Sequence, residues 1–435
     1  MRKPLRIFRL HECSPAERKK LLKRSELDIL EVLPAVIKIV EDVKRRGNSA
    51  LLDYTKRFDG VELSEGELAV SENETKAAYE EIDPALRKAI RDAAESIKKF
   101  HSRQMPKSWM IQIKPGIRGG QIVRPLQRVG IYVPGGLARY PSTVLMGAIP
   151  AKLAGVNEVI VCTPCRRDGT IDAATLVAAD VAGVKKIFKL GGAQAVAAMA
   201  YGTATVPKVD KIVGPGNVYV AAAKLAVSLD VGVDFMAGPS EILILADKSA
   251  NAEYIASDML AQAEHDPNSA AVLVTTSEWI AENVLEAIER KIEKISRRSI
   301  ILSSLSKYGK IIVAEDIEDA IEFVNDYAPE HLEIVTNSPK SLIKKIKNAG
   351  AIFLGPYSSV ACGDFATGPN HILPTGGASR WRSGLSVLDF VRLPSVQELT
   401  KKGLRSICET VEKLAEAEGL PAHAQSVRER LKGGE

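Results

Sequence analysis

Glu158-Val159-Ile160-Val161-Cys162, then Lys186-Ile187-Phe188-Lys189-Leu190, then Lys211-Ile212-Val213 are three short apolar runs in close succession. The stretches between them, such as Ala173 to Ala182 and Ala193 to Tyr201, are Ala-rich and suit helices packed on a sheet. That alternation is the beat of βαβ units with buried parallel strands. A second series starts at Ile242-Leu243-Ile244-Leu245 and continues through Ala271 to Val274, Lys310 to Val313 and Leu332 to Val335. It ends at Ala351-Ile352-Phe353-Leu354, with helices such as Ile280 to Ile295 between. The two series predict two open α/β sheets, one inserted in or following the other, rather than a single barrel.

The flanks read differently. The first 110 residues or so are predicted helical, with Ala35 to Arg46 and Ala85 to Phe100 carrying apolar residues at three-to-four spacing and Gly47 and Gly60 as punctuation. Of the last fifty, Val396 to Glu418 and Ala422 to Leu431 are amphipathic with almost no sheet signal. A tail of that kind packs on a partner or on its own core. No internal repeat appears.

Composition sets the outer limits. A chain of 435 residues with 46% apolar and 26% charged residues is an ordinary globular protein, long enough for more than one domain. Its 59 basic and 54 acidic residues are interleaved, giving +5 overall. Runs such as Lys44-Arg45-Arg46 and Arg297-Arg298 read as solvated helix faces, so no nucleic-acid partner is expected. The start, Met1-Arg2-Lys3-Pro4-Leu5-Arg6, lacks a signal peptide's apolar region, and no apolar run is long enough to span a bilayer. Five cysteines without framework spacing point to a reduced, cytoplasmic setting.

Three glycine loops follow apolar runs: Tyr132-Val133-Pro134-Gly135-Gly136, Gly191-Gly192-Ala193-Gln194 after Leu190, and Gly214-Pro215-Gly216-Asn217 after Val213. Glycines there permit close backbone approach, and a following helix N-terminus favours phosphate. None matches the usual dinucleotide fingerprint, and spacing alone leaves nucleotide binding and plain tight turns both open.

Histidines are scarce, six in all, and three of them sit near carboxylates: Gln262-Ala263-Glu264-His265-Asp266, Pro329-Glu330-His331, and Glu418 with His423. With Asp364 in Cys362-Gly363-Asp364, these are the donor types of a metal-assisted site built from distant segments, since a divalent metal takes neutral imidazoles and an anionic oxygen. Gln262 and His265 are three apart on a predicted helix limited by Pro267, so both point the same way. The competing reading is a histidine on a helix C-terminus, and glutamine is an uncommon zinc ligand. Glu330-His331 falls at a predicted helix-to-strand junction, where sheet crevices place reactive groups and where capping is the alternative. Asp364 lies in a long polar loop from Ser358 to His371, and His371 reads as a structural hydrogen-bonder closing a Gly-Pro-Asn turn. Cys162-Thr163-Pro164-Cys165 reads as core packing, whereas Cys362 is a candidate nucleophile for aldehyde oxidation.

Val129 to Gly136, Gly214-Pro215-Gly216-Asn217, Ala237-Gly238-Pro239-Ser240-Glu241, Gln262 to His265, Pro329-Glu330-His331-Leu332-Glu333 and Gly368-Pro369-Asn370-His371 occur in one order. In this the chain closely resembles the histidinol dehydrogenase family over nearly its whole length. The resemblance implies two open Rossmann-like, aldehyde-dehydrogenase-like α/β domains with a helical, dimer-forming extension. It implies an NAD-dependent, zinc-containing enzyme that oxidises L-histidinol through L-histidinal to L-histidine. Zinc ligands carried over are Gln262, His265, Asp364 and His423, one Zn²⁺ per subunit, with His423 supplied by the other subunit of a homodimer. Catalytic residues carried over are Glu330 and His331. Substrate contacts are Ser240, Gln262, His265, His331, Asp364, Glu418 and His423, and NAD contacts are Tyr132, Gln194 and Asn217. The expected division is an N-terminal helical segment (1–29), a larger α/β domain (30–131 and 241–385), an inserted NAD-binding domain (132–240) and a helical tail (386–435) reaching the partner. Competing expectations are a zinc and NAD enzyme for another polar alcohol, a zinc hydrolase using Glu330, and a non-catalytic zinc-binding protein.

Overall fold

The structure, a computed structural model, describes residues 5–25, 28–135, 139–236 and 238–432. Residues 1–4, Gly136 and Ala237, which fall in segments quoted above, lie outside the described residues.

Two open parallel sheets are present, as the two series of apolar runs predict. The first has the order Lys186–Lys189, Glu158–Thr163, Arg128–Tyr132, Lys211–Val213, Gly232–Val233. Its strands are buried on both faces. Val129, Ile131 and Val133 enter one core with helices Pro84–His101, Pro141–Leu153 and Ala173–Val181. Tyr132 points into the other, with Ile29–Arg46, Asn48–Phe58, Gly192–Tyr201 and Val218–Val227. The chain enters at the central strand, runs out to one edge, and returns to the other side. The switch point therefore lies between Arg128–Tyr132 and Lys211–Val213, where an open sheet leaves a crevice at its carboxyl ends.

The second sheet is also all parallel, in the order Ile7–Arg9, Lys310–Val313, Ala270–Thr275, Glu241–Ala246, His331–Val335, Ala351–Leu354. Its switch point lies between Glu241–Ala246 and His331–Val335. The N-terminal segment is not wholly helical, because Ile7–Arg9 adds the outer strand here. Helices between residues 29 and 101 bury Val36, Val40, Ile90 and Ile97 against the first sheet. Packing thus groups them with the strands of 128–233.

A third sheet was not anticipated. Trp109–Lys114, Ile117–Gln121 and Ser395–Leu399 pair antiparallel. The segment from Val396, expected to be helical, is therefore strand first, and the helix begins at Lys401. Lys401–Ala417 and Pro421–Lys432 then pack on each other. Among the described residues no helix is long and apolar enough to cross a membrane.

One buried ion pair shapes a glycine loop. Lys224 Nζ donates to Asp234 Oδ1 and to the Gly214 carbonyl, both at 2.5 Å, while Asp234 Oδ2 accepts the Gly214 N–H at 2.7 Å. Gly214 has φ +115°, and a Cβ there would lie 2.1 Å from the Tyr132 carbonyl oxygen, so only glycine fits. Lys224 and Asp234 are 2% and 1% exposed, so removing one partner strands the other without water. Lys224→Met should lower the unfolding free energy by roughly 3–5 kcal/mol, measured by urea denaturation. A loss under about 1 kcal/mol would mean that water or another cation reaches Asp234.

Candidate active site

Three side chains meet at the amino end of the second sheet's switch point. The chain arrives by the helix Ile317–Tyr327, which ends at Ala328 with φ +51°, the one non-glycine residue with positive φ among those described. Such strain is of order 1 kcal/mol or more, and it reverses the chain so that Pro329-Glu330-His331 enters the sheet edge-on. Glu330 and His331 are both buried beside Glu241, the first residue of the neighbouring strand. The Glu241 N–H donates to Glu330 Oε2 at 2.9 Å, and the Glu330 N–H donates to Glu241 Oε1 at 3.3 Å. Arg24 Nη1 donates to the same Glu241 Oε1 at 2.6 Å, its guanidinium lying 3.8 Å from the Tyr327 ring centroid.

These contacts fix the chemistry of His331. Its Nδ1 is 3.0 Å from the Glu241 carbonyl, which can only accept, so Nδ1 carries the hydrogen. The lone pair is then on Nε2, which is buried without a partner and lies 4.0 Å from Asp364 Oδ1. Burial, with smaller contributions from His265 and His371, lowers its pKa to about 4, so the ring is neutral at pH 7 and able to take a proton. Glu330 moves the other way. Burial, reinforced by the charges of Glu241 and Asp364, holds it well above the usual carboxylate range, while hydrogen bonds from Glu241 and Ser240 pull it partly back.

Gln262 and His265 arrive at the end of Ala252–Ala263. The helix stops two residues before His265, which sits in the following turn with its N–H 3.3 Å from the Gln262 carbonyl. Gln262 is buried and its Nε2 has no partner. His265 is exposed as a residue, yet desolvation lowers its pKa, with the Glu264 charge opposing that shift and the Arg297 charge adding to it. Asp364 is in a short helix, Val360–Phe365, rather than in open loop, and burial raises its pKa to about 7. His371 has the bonding role expected of it: Nδ1 meets the Asp364 carbonyl at 2.9 Å and Nε2 meets Thr143 Oγ1 at 3.3 Å. Thr143 belongs to Pro141–Leu153, the helix after the first glycine loop. His371 thus ties the two sheets together beside Asp364.

Across that junction, the first sheet presents its glycine loops at the carboxyl ends. Tyr132 Oη accepts the Gly192 N–H at 3.0 Å, and burial raises the phenol to about 12. Gln194 is buried with both amide atoms unpartnered, a costly arrangement unless a ligand supplies partners. Asn217 caps Val218–Val227, its Oδ1 accepting from Tyr219 and Val220 at 3.1 and 3.2 Å, which leaves its amide NH₂ free to reach outward.

Two of the expected site residues are elsewhere in the single chain. Glu418 and His423 lie exposed on the helical tail. Among the described residues no group of three or more His, Cys, Asp or Glu is placed to hold a metal ion. Gln262, His265 and Asp364 supply two such residues and an amide. Cys362 opens instead onto a cavity of about 810 Å³ with Phe353, Tyr357 and Leu388, which neither Glu330 nor His331 lines. Cys162 is fully buried in Glu158–Thr163, as core packing requires. Glu241 and Arg24 were assigned no role from sequence. An acid opening the wholly apolar run Ile242 to Ala246 was the available signal for the first, and Arg24 gave none.

The profile of the histidinol dehydrogenase family matches residues 22–431. The chain belongs to the histidinol dehydrogenase family. It is 51% identical over 413 residues to the histidinol dehydrogenase of Methanothermobacter thermautotrophicus, spanning 95% of this chain and 96% of that one. The Clostridium acetobutylicum histidinol dehydrogenase is 48% identical over 412 residues, spanning 95% of each. A crystal structure of histidinol dehydrogenase from Elizabethkingia anophelis superposes with a TM-score of 0.94 at 41% identity, covering 98% of both chains. The family comprises NAD-dependent oxidoreductases of histidine biosynthesis that act on an alcohol and its aldehyde, and this chain is one of them.

Burial of the two imidazoles has a consequence for stability. His331 and His371 are held down to about 4, against 6.5 for a free histidine. Between those values the unfolded chain binds more protons, so stability is full above about pH 6.5 and falls as pH drops toward 4. The expected loss is on the order of 3 kcal/mol per histidine in metal-free protein. Asp364, raised by burial, acts in the opposite sense over part of that range. The difference between parent and His331→Asn isolates one ring: their urea midpoints should converge as pH falls from 7 to 4. Parallel midpoints across that range would show that His331 is not buried in neutral form.

Proposed function

We propose that this chain oxidises L-histidinol through L-histidinal to L-histidine, with His331 as the base in both oxidations and Glu330 activating water for the second. The observation that carries this reading is the unpartnered Nε2 of His331, neutral, buried and aimed at Asp364. In the first oxidation His331 Nε2 takes the hydroxyl proton as hydride leaves the carbon. In the second Glu330 takes a proton from the water that adds to the aldehyde, and His331 again removes a hydroxyl proton from the hydrate. A hydrated aldehyde needs no thiol nucleophile, which leaves Cys362 outside the chemistry. NAD, held by Tyr132, Gln194 and Asn217 in the 132–240 segment, would accept both hydrides, and the orphaned amide of Gln194 fits a polar ligand of that kind.

The donor set also fits a divalent metal. An imidazole (His265) whose charge is felt at His331, a carboxylate (Asp364) 4.0 Å from His331 Nε2, and a buried amide with an unpartnered end (Gln262), three residues before His265, are the donors available. Gln262, His265 and Asp364 would hold zinc, which would supply Lewis-acid polarisation of the substrate and a positive charge favouring the ionised forms of Asp364 and Glu330. One Zn²⁺ per subunit, completed by His423 of the partner subunit, is the form this reading takes. Ser240 and Glu418 of the partner subunit would contact substrate beside the ligands. A homodimer is supported by the exposed tail helices and by Trp109, Ile111 and Ile113, which are 50%, 56% and 61% exposed in one chain. The setting is cytoplasmic, consistent with five free cysteines.

Purified protein given L-histidinol and NAD should form about two NADH per substrate consumed, with activity lost on chelation and restored by zinc. Turnover independent of NAD would favour hydrolysis, and NADH formation untouched by chelation would remove the metal. Glu330→Gln should slow aldehyde oxidation by about 10²–10⁴-fold while sparing alcohol oxidation more. Equal loss of both half-reactions, measured separately from each substrate, would take the water-activating role away from Glu330.

A further inference from the structure

Beneath the reacting groups is a second pair of acids that the steps above do not use. Glu333 stands two residues beyond His331 on His331–Val335, so it leaves the same face of the sheet, and it is 2% exposed. Asp258 is one turn before Gln262 on Ala252–Ala263 and shares its helix face. The two carboxyls are hydrogen-bonded to each other. Glu333 Oε1 also accepts the Val360 N–H at 2.8 Å, and Val360 opens the short helix that carries Asp364. Three segments far apart in sequence are joined through these two side chains.

Two acids bonded to each other share one proton. Burial raises both groups, and the Asp258 charge raises Glu333 further, so at neutral pH the pair holds one proton between its two carboxyls. Burying such a pair in a sheet otherwise packed with Ile242, Ile244 and Leu273 is costly, and hydrophobic residues of the same size would pack there without that cost. Hydrophobic packing would hold the layers together, but it would not fix the distance between helix, strand and short helix as directional bonds do.

We propose that Asp258 and Glu333 are positioning residues for the metal centre: they hold the helix that bears Gln262 and leads into His265, the strand bearing His331, and the short helix bearing Asp364 at one spacing. This rests on the zinc reading above. Neither residue touches the metal or the substrate, and both act through the groups that do.

Zinc dissociation constants of the full-length protein, measured by competition with a chromophoric chelator, test it. Glu333→Leu keeps the volume and removes both bonds, and should weaken zinc binding about 10–100-fold. NAD affinity, which belongs to the other sheet, should not change. Glu333→Gln can accept from Val360 through its carbonyl and donate to Asp258 through its amide, and should hold zinc within about threefold of the parent. Asp258→Ala removes the pair from the other end, should show the same loss as Glu333→Leu, and stands in for it if that variant fails to fold. Parent-like zinc affinity in both Glu333→Leu and Asp258→Ala overturns the proposal, as does a loss in Glu333→Gln equal to that in Glu333→Leu. A parent chain that binds no zinc overturns the zinc reading itself, and the positioning role with it.

Discussion

The exchange of hydrogen bonds between Glu241 and the Glu330-His331 pair is the constraint on which the site depends. Parallel pairing puts Ile242 opposite His331, so the residues just before them are neighbours whatever their side chains. What is particular to this sequence is that both are glutamates and that each carboxylate binds the other's N–H. Two acids side by side in a buried place repel, and Arg24 relieves that by bonding Glu241 from outside the sheet. The Glu241 backbone then sets the tautomer of His331. Removing the Glu241 side chain would leave that backbone bond in place, so orientation of the imidazole and charge of the cleft are under separate control.

The two sheets present opposite ends to the junction between them. The first obeys the rule for open sheets, with its glycine loops at the carboxyl ends beside the switch point. The second places Glu241, Glu330 and His331 at the amino ends of its strands. This arrangement follows from what each side has to supply. Carboxyl ends lead into helix N-termini, which suit phosphate. Amino ends follow helix C-termini, whose partial negative charge suits cations and is ill suited to anions. A polyanionic cofactor on the first side and a cationic centre on the second, as proposed above, would be matched to those fields. The bond chain from Thr143 through His371 to the Asp364 carbonyl keeps the two sides in one relation.

Much of this was legible in the sequence, for identifiable reasons. Lys211–Val213 and Lys310–Val313 have the expected bounds because short apolar runs buried in a sheet leave little choice, and the edge strand Ala351–Leu354, though partly exposed, is marked by its unbroken apolar run. The antiparallel strands escaped for the opposite reason. Five of the six residues of Trp109–Lys114 are exposed in one chain, so burial does not write a clear pattern there, and Val396 alternates with polar neighbours too briefly to outweigh the helix that follows. The strand Ile7–Arg9 is only three residues long. Site residues in motifs were nominated, but their partners were not. Glu241, Asp258, Glu333 and Arg24 matter through bonds across 89 to 217 positions of chain, or across helix and strand, and local spacing carries no trace of such contacts.

The distribution of buried charge supplies the last step. Glu241, Glu330, Glu333 and Asp364 converge on one end of the second sheet, and burial raises every one of them. Arg24 bonds Glu241 and stacks over the Tyr327 ring. His331, His265 and His371 are pushed toward their neutral forms and offer lone pairs rather than positive charge. A cleft with several buried acids and neutral imidazoles offers oxygen and nitrogen lone pairs to a positively charged group. A divalent cation bound there would favour the ionised forms of Asp364 and Glu330, as the proposed ligand and base roles require. On the proposed reading, the same effect would let Glu330, held far above its ordinary pKa in the chain alone, accept a proton once the centre is filled.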